Sequence, residues 1–164
     1  MRIGLGFDSH EFRSGLPLKI GGVVISHDAG LAGHSDGDVL LHALTDALLG
    51  AVAAGDIGAY FPPSEAKWKG ADSALFVREA LRQVARAGYA VANVDSTLIL
   101  AAPRIGPHAK KIQASVAKLL GVTPAAVGIK AKTPEGLGTG NAAIAQVAVL
   151  LVESKKPRPA RRTR

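Results

Sequence analysis

The spacing of apolar residues along the chain changes several times, and each change predicts a secondary-structure element. Apolar residues alternate with glycine over residues 2–7, and this period of two predicts a first strand. Residues 18–25 predict a second extended segment that turns or bulges at Gly21-Gly22. Apolar and β-branched runs predict three more strands, at 91–100, 127–132 and 142–152. For the last of these, a buried helix is a less favoured alternative.

Three other segments repeat apolar residues every three or four positions, which predicts amphipathic helices. They cover about residues 38–54, 72–88 and 107–120. Ser35 or Asp36 is predicted to cap the first helix, and Gly121 is predicted to end the third. The segments between these elements are rich in Gly, Pro and polar residues, which predicts loops at 30–37, 55–70, 103–107 and 132–141.

The predicted order of elements is β, β, α, α, β, α, β, β. Such an order indicates an α+β fold, an α/β sandwich in which a mixed sheet of four or five strands carries its helices on one face. The chain has 164 residues, of which 48% are hydrophobic, so it can form a core without disulfides. We find no repeat and no linker, and we predict one domain over residues 1–153.

Composition excludes several classes of protein. There is no cysteine, which excludes a disulfide scaffold, a cysteine-ligated zinc site and a thiol nucleophile. The first residues lack the pattern of a secretory signal, and the apolar run at 142–152 is too short to span a bilayer. These observations predict a cytoplasmic protein without a membrane partner.

The net charge of +7 comes almost entirely from the end of the chain. Six Lys and Arg residues follow residue 154 without any acid, whereas the 14 other basic residues nearly balance the 13 acidic ones. Residues 154–164 are therefore predicted to form a disordered, solubilising tail, with weak contact to a polyanion as the alternative. The nearly neutral body argues against a nucleic-acid partner.

Asp8, His10 and His42 form the strongest candidate for a metal site. Residues two apart on a strand point to the same face, so Asp8 and His10 converge, and His42 lies about one turn into the predicted helix. Three protein ligands with an open position are typical of catalytic zinc, although manganese or iron would also suit them. Taken singly, Asp8 and His10 are also compatible with an ordinary surface pair, and His42 with a half-buried structural histidine. Asp38 and Asp46 are either partners of a metal-bound imidazole or solvated helix residues.

Three loops carry further polar chemistry. His34 and Ser35 precede a predicted helix, where free N–H groups favour an anion, although Ser35 would also serve as a plain helix cap. Residues 56–58 (DIG) offer a carboxylate for a sugar hydroxyl. Residues 132–135 (KTPE) combine an ammonium, a hydroxyl and a carboxylate, which suits phosphate and a second, hard cation such as magnesium; the alternative is a simple turn.

Six segments of the chain together resemble the family of 2-C-methyl-D-erythritol 2,4-cyclodiphosphate synthases. They lie in the family's order, and the resemblance extends over about residues 1–153: IGLGFDSH (3–10), AGHSDGDVLLHALTDALLGA (32–51), GDIGAYFP (55–62), KGADS (69–73), VDSTLILAAPRIGPH (94–108) and KAKTPEGLG (130–138).

The resemblance implies a metal-dependent lyase that converts 4-diphosphocytidyl-2-C-methyl-D-erythritol 2-phosphate to the 2,4-cyclodiphosphate and CMP. It implies a homotrimer built around the sheets, with each active site between two subunits. Zinc would bind to Asp8, His10 and His42, and Glu135 would help to hold a second divalent cation, magnesium or manganese. His34 and Thr133 match positions that stabilise the transition state.

The resemblance also implies a set of substrate-binding residues in five segments, of which 100–106 and 132–135 would hold the cytidine and its phosphates. They are Asp8, His10, His34, Ser35, Asp56, Ile57, Gly58, Phe61, Pro62, Pro63, Ser64, Glu65, Leu100, Ala101, Ala102, Pro103, Arg104, Ile105, Gly106, Lys132, Thr133, Pro134 and Glu135.

Two positions depart from the family pattern. Pro63 stands where members carry an aspartate, and residues 136–142 are shorter than the family's segment and lack its arginine. The phosphate contact of that arginine, and an anion site at the trimer centre, are not implied for this chain. The same candidate residues also suit a metal-dependent phosphoesterase or nucleotide hydrolase, and a trimeric nucleotide-binding protein without catalysis is a third alternative.

Overall fold

The structure, a computed structural model, describes residues 1–154, and its centre is a five-stranded mixed sheet. The order across this sheet is β4-β1-β7-β5-β6, with β5 and β6 parallel and all other neighbours antiparallel. The strands are β1 (Arg2–Ser14), β4 (Ala29–Leu31), β5 (Tyr89–Ile99), β6 (Val127–Lys132) and β7 (Ala142–Glu153), and a separate hairpin pairs β2 (Leu18–Ile20) with β3 (Val23–Ile25). The predicted α+β class with a mixed sheet is confirmed.

The described helices are α1 (Val39–Ala51), α2 (Ile57–Tyr60), α3 (Ala74–Arg86) and α4 (Ala109–Leu120), with short 3₁₀ turns at Ala66–Trp68, Gly106–His108 and Pro124–Ala126. Helix α1 lies between the sheet and α3, and all its residues except Asp46 and Gly50 are buried. Helix α4 ends at Gly121 in the left-handed conformation, as predicted. No helix within residues 1–154 is long and apolar enough to cross a membrane.

Four local predictions differ from the structure. Strand β1 continues to Ser14, so Asp8 and His10 lie within it, because β7 pairs with it as far as Glu11 and β4 pairs with its last residues. The predicted loops contain the short elements β4 and α2. Asp38, and neither Ser35 nor Asp36, caps α1, since its carboxylate accepts from the backbone N–H of Leu41.

The two faces of β1 have opposite surroundings. A Cβ added to Gly4 or Gly6 would lie 1.9 Å from a backbone carbonyl oxygen of α1, so only glycine permits this close approach of helix and strand. The alternate residues Ile3, Leu5 and Phe7 point to the open face of the sheet and are 72%, 76% and 57% exposed. The apolar side of the strand is therefore the side without helices.

Candidate metal centre and active site

Asp8, His10 and His42 meet where α1 crosses β1. The Nε2 atom of His10 lies 2.9 Å from the Nδ1 atom of His42 and 2.9 Å from Oδ2 of Asp8. The third side of this triangle, from Nδ1 of His42 to Oδ2 of Asp8, is 3.0 Å. A tetrahedral ion with bonds of about 2.0–2.1 Å holds its ligands about 3.3 Å apart, so three donors in this arrangement fit one metal ion after a small expansion.

Burial and hydrogen bonds keep Asp8 in its ligating form. Burial alone would raise the pKa of Asp8, but hydrogen bonds from His10 and His42 outweigh this effect and hold the pKa well below its usual range. Asp8 and His10 are half-buried and His42 is buried. The carboxylate is therefore ionised at neutral pH and can bind a cation without first losing a proton.

The three residues lie at one side of a cavity of about 280 Å³. Its polar lining continues with His34, Ser35 and Asp46, and the segment after α1 adds further lining residues that the sequence predicted: Ile57, Gly58, Phe61 and Pro63. The other predicted residues of that segment, Asp56, Pro62, Ser64 and Glu65, are not among its lining. Asp56 caps α2 by accepting from the N–H of Ala59, and Glu65 forms an ion pair with Lys67.

Two aromatic side chains of the cavity were not predicted. Phe76, on α3, lies 4.3 Å from Phe61 and 5.9 Å from His42 between ring centroids. Trp68 meets Phe61 edge-on at 4.9 Å. The position of Phe76 depends on how α3 packs against α1, which no local pattern indicates. The only sequence signal for Trp68 is an aromatic residue between two lysines, Lys67 and Lys69. Together with Phe61, these two aromatic side chains give the cavity an aromatic part of its wall, which reaches the ring of His42.

The carboxylates of Asp38 and Asp46 have structural contacts. Asp38 is fully buried and accepts from the backbone N–H groups of Gly21 and Gly22, at 2.8 and 2.6 Å, in addition to its cap. It fixes the β2–β3 hairpin to α1 and is neither a solvated acid nor a partner of the metal cluster. Asp46 faces the cavity, where burial raises its pKa, and its carboxylate accepts from the N–H of Ile57 at 2.8 Å.

The loops 100–106 and 132–135 adjoin each other at the other edge of the sheet. The N–H of Leu100 donates to the carbonyl of Lys132 at 3.1 Å, and the hydroxyl of Thr133 donates to Glu135. Asp8 lies in one row across the sheet with residues 145, 98 and 131. Asp8 and residue 131 are thus separated by three strand spacings, or about 14 Å. In one chain the structure does not bring Thr133 and Glu135 into the cavity of the metal cluster.

A sequence model described as the YgbB family matches residues 1–153. The chain belongs to the YgbB family. A family member of Koribacter versatilis (strain Ellin345), named 2-C-methyl-D-erythritol 2,4-cyclodiphosphate synthase, is 70% identical over 151 residues, which cover 92% of this chain and 97% of the relative. The resemblance found in the sequence is confirmed, and with it the enzyme class.

Solved structures of family members agree with the fold. One structure of 2C-methyl-D-erythritol-2,4-cyclodiphosphate synthase is 43% identical with a TM-score of 0.87, and the match covers 92% of this chain and all of that chain. A second, described as a form bound to CDP, has the same TM-score and coverage at 41% identity. At these identities the likeness includes the arrangement of the strands and helices around the cavity.

Proposed function

We propose that this protein converts 4-diphosphocytidyl-2-C-methyl-D-erythritol 2-phosphate to 2-C-methyl-D-erythritol 2,4-cyclodiphosphate and CMP, with the cavity of Asp8, His10 and His42 as half of its active site. An oxygen of the 2-phosphate forms a bond to the β-phosphorus, and the bond from that phosphorus to the oxygen of CMP breaks. The observation that carries the proposal is the triangle of three donors beside the cavity, in a chain whose close relatives are named for this reaction.

Asp8, His10 and His42 would hold a zinc ion, and Glu135 would help to hold a second divalent cation, magnesium or manganese. Bound cations would supply charge neutralisation for two phosphate groups that otherwise repel each other. The donor set fits zinc because it combines two imidazoles with one carboxylate and leaves a position open. The choice of zinc for the first cation, and of magnesium or manganese for the second, rests on the donor atoms that these residues offer.

The remaining residues orient the substrate and exclude water. His34 is exposed at the cavity, next to Ser35, and both offer hydrogen-bond donors to a phosphate. Ile57, Gly58 and Phe61 supply the side that would face the erythritol carbons. Phosphoryl transfer depends on alignment and charge stabilisation more than on a covalent intermediate, so the chain needs no nucleophile of its own. The substrate phosphate takes that role.

The second half of the site would come from another copy of the chain. Loops 100–106 and 132–135 lie together but about 14 Å away across the sheet, and we propose that they hold the cytidine and its phosphates for the neighbouring copy's metal cluster. Solved relatives described as CDP-bound support this ligand class. The exposed apolar residues Ile3, Leu5 and Phe7 give the open sheet face a surface that three copies would bury in a homotrimer.

Replacement of His42 tests the metal centre and the reaction together. We expect His42→Ala to lose the bound metal and at least 10³-fold in turnover, roughly the scale of losing a metal from a phosphoryl-transfer site. His27→Ala is the matched control, because His27 is an exposed histidine on the loop after β3. Metal analysis and release of CMP measure the two effects. Full metal content in His42→Ala would contradict the assignment of the ligands.

Product analysis separates the alternatives. Phosphorus NMR of the wild-type reaction should show the cyclic diphosphate appearing with CMP. An uncyclised diphosphate beside CMP would instead identify a metal-dependent hydrolase, and binding of CDP without turnover would identify a nucleotide-binding protein.

Three features stay predictions: the cytoplasmic location, the single domain over residues 1–153 and the absence of a nucleic-acid partner. The predicted tail lies outside the described residues apart from residue 154.

A further inference from the structure

A second cavity, of about 310 Å³, is lined by residues of α3, α4 and the β2–β3 hairpin. Within residues 1–154, no residue lines both this cavity and the one beside the metal cluster. Three of its lining residues are cations that come from three different elements: Lys19 from β2, Arg78 from α3 and Lys118 from α4. A molecule bound here would therefore meet several positive charges and would leave the substrate cavity open.

The charges of Arg78 and Lys118 are not neutralised by the protein. In the part of the chain that the structure describes, neither side chain has a hydrogen bond or an ion pair. Glu79, the acid next to Arg78 on α3, accepts from Arg82 and Gln83 instead. Both free cations are exposed, so an anion can reach them without displacing a protein carboxylate.

Ser115, one turn before Lys118 on α4, adds a hydroxyl to the lining of the same cavity. The residue is half-buried, and no hydrogen bond reaches its hydroxyl from any residue of 1–154. A Cβ added to Gly22 would lie 3.0 Å from this oxygen, so any other residue at that position would crowd the hydroxyl. A guanidinium, an ammonium and a hydroxyl are all donors to phosphate oxygens, and together they favour a phosphate group.

One carboxylate, that of Asp72, also lines the cavity. Its Oδ1 atom accepts from Nζ of Lys19 at 3.1 Å and from the backbone N–H of Ala74 at 3.0 Å. Its Oδ2 atom accepts no hydrogen bond from the described residues. A carboxylate repels a bare anion, but it accepts from a hydroxyl group. The lining therefore favours a phosphate whose molecule also carries a hydroxyl.

We propose that this cavity binds a small phosphomonoester that carries a hydroxyl group. Arg78, Lys118 and Ser115 hold the phosphate, and the hydroxyl of the ligand donates to Asp72. The volume lies at the lower end of the range for ligand pockets, which suits a molecule of a few carbons. This site is separate from the proposed reaction, and the contacts that define it do not include the metal cluster.

Glycerol 3-phosphate is the probe, because it combines a phosphate with free hydroxyl groups, and inorganic phosphate is the comparison. Backbone amide NMR of the full-length protein, titrated with each probe at about 0.1 M salt, shows where the probe binds. We expect saturable shifts at Gly22, Ser115 and Lys118. Inorganic phosphate should bind there about fivefold more weakly, the equivalent of one hydrogen bond.

The double variant Arg78→Gln/Lys118→Gln removes the two free cations. We expect its affinity for glycerol 3-phosphate to fall at least about tenfold, because charge-assisted hydrogen bonds are the strong ones. The matched control is Arg86→Gln/Lys111→Gln, which removes two exposed cations from the same helices outside the cavity. These lie about two turns away, or about 11 Å, near the screening length of about 10 Å, so the affinity should stay within about twofold.

Asp72→Ala tests the contact with the hydroxyl. It should bring the affinities for the two probes to within about twofold of each other, since the acceptor for the hydroxyl is then missing. Equal affinities of the two probes in the wild type would refute a hydroxyl-bearing ligand.

The location of the site is tested by the same titrations. Equal weakening in the two double variants would overturn the proposal, because the probe would then follow the general positive charge of the surface. Shifts confined to Ser35 and its neighbours would also overturn it, because they would place the phosphate in the substrate cavity. So would the absence of any shift at Gly22 and Ser115 up to about 10 mM probe, an affinity too weak for a specific site.

Discussion

At the scale of single residues, the ion pair of Lys19 and Asp36 lies beside Ser73, whose hydroxyl contacts both Asp36 and His42. Burial would raise the pKa of Asp36, but Lys19 and Ser73 outweigh it and hold the pKa below its ordinary value of 3.8. Burial would likewise lower the pKa of Lys19, yet Asp36 and Asp72 raise it above 10.5. Both shifts mean that the charged pair stabilises the folded state.

Lys19→Met should therefore lose stability in a defined pH range. The contribution of Asp36 is present above its unfolded pKa of about 4 and is lost as the pH falls through its lowered native pKa, whereas that of Lys19 is lost as the pH rises through its raised pKa. We expect the free energy of unfolding to fall by about 1–2 kcal/mol at pH 7, between the values for exposed and buried pairs, and by less at about pH 3. Urea unfolding at both pH values measures the difference.

The control for this change is Lys130→Met, since Lys130 and Asp95 form an ion pair in which both side chains are about half exposed. Its effect should stay below about 0.5 kcal/mol at pH 7. An equal loss of stability in the two variants, or a loss in Lys19→Met that is the same at both pH values, would show that the pair at Asp36 has no special contribution.

At the scale of elements, β1 and α1 together create the metal site. Gly4 and Gly6 share a face of β1 with Asp8 and His10, and this face lies against α1. The close approach at the glycines brings His42, one turn into the helix, to the two ligands on the strand. Strand and helix can approach this closely only because both positions are glycine, which has no side chain.

Gly6→Ala tests this dependence. Its Cβ would lie 1.9 Å from the carbonyl oxygen of Ala43, and because backbone cannot give way as a side chain does, α1 must move from β1. We expect the free energy of unfolding to fall by about 3 kcal/mol, the upper part of the range for overpacking, and metal affinity to fall with it. Gly140→Ala, with open space around the added carbon, should change neither quantity. Wild-type unfolding and metal titration curves for Gly6→Ala would contradict this account.

The sequence predicted most elements because their signals are local. Apolar periodicity located α1, α3, α4 and the long strands, and the spacing of Asp8, His10 and His42 predicted a cluster that the structure does bring together. The cap at Asp38 and the contacts of Ser73 were missed. Both depend on partners distant in sequence: Asp38 also accepts from the N–H groups of Gly21 and Gly22, and the hydroxyl of Ser73 contacts Asp36 in the loop before α1 and His42 on α1. The periodicity of apolar residues along the chain does not indicate such contacts.

At the scale of the whole molecule, the two candidate half-sites lie near opposite edges of one sheet. β1 carries Asp8 and His10, and the loop after β6 carries Thr133 and Glu135, with β7 and β5 between them. A copy that uses each edge toward a different neighbour makes head-to-tail contacts, and such contacts form a closed ring when the rotation between copies is right. The proposed homotrimer is such a ring.

Two inactive variants should therefore restore each other. Mixed with Glu135→Ala subunits, His42→Ala subunits still donate an intact 132–135 loop, while the Glu135→Ala subunits still donate an intact metal cluster. Random assembly from equal amounts makes about one quarter of the interfaces wholly intact, because each interface draws one half-site from each of two copies. CMP release by co-expressed variants, against each variant alone, measures this recovery. A mixture as inactive as its parents would place both half-sites within a single copy.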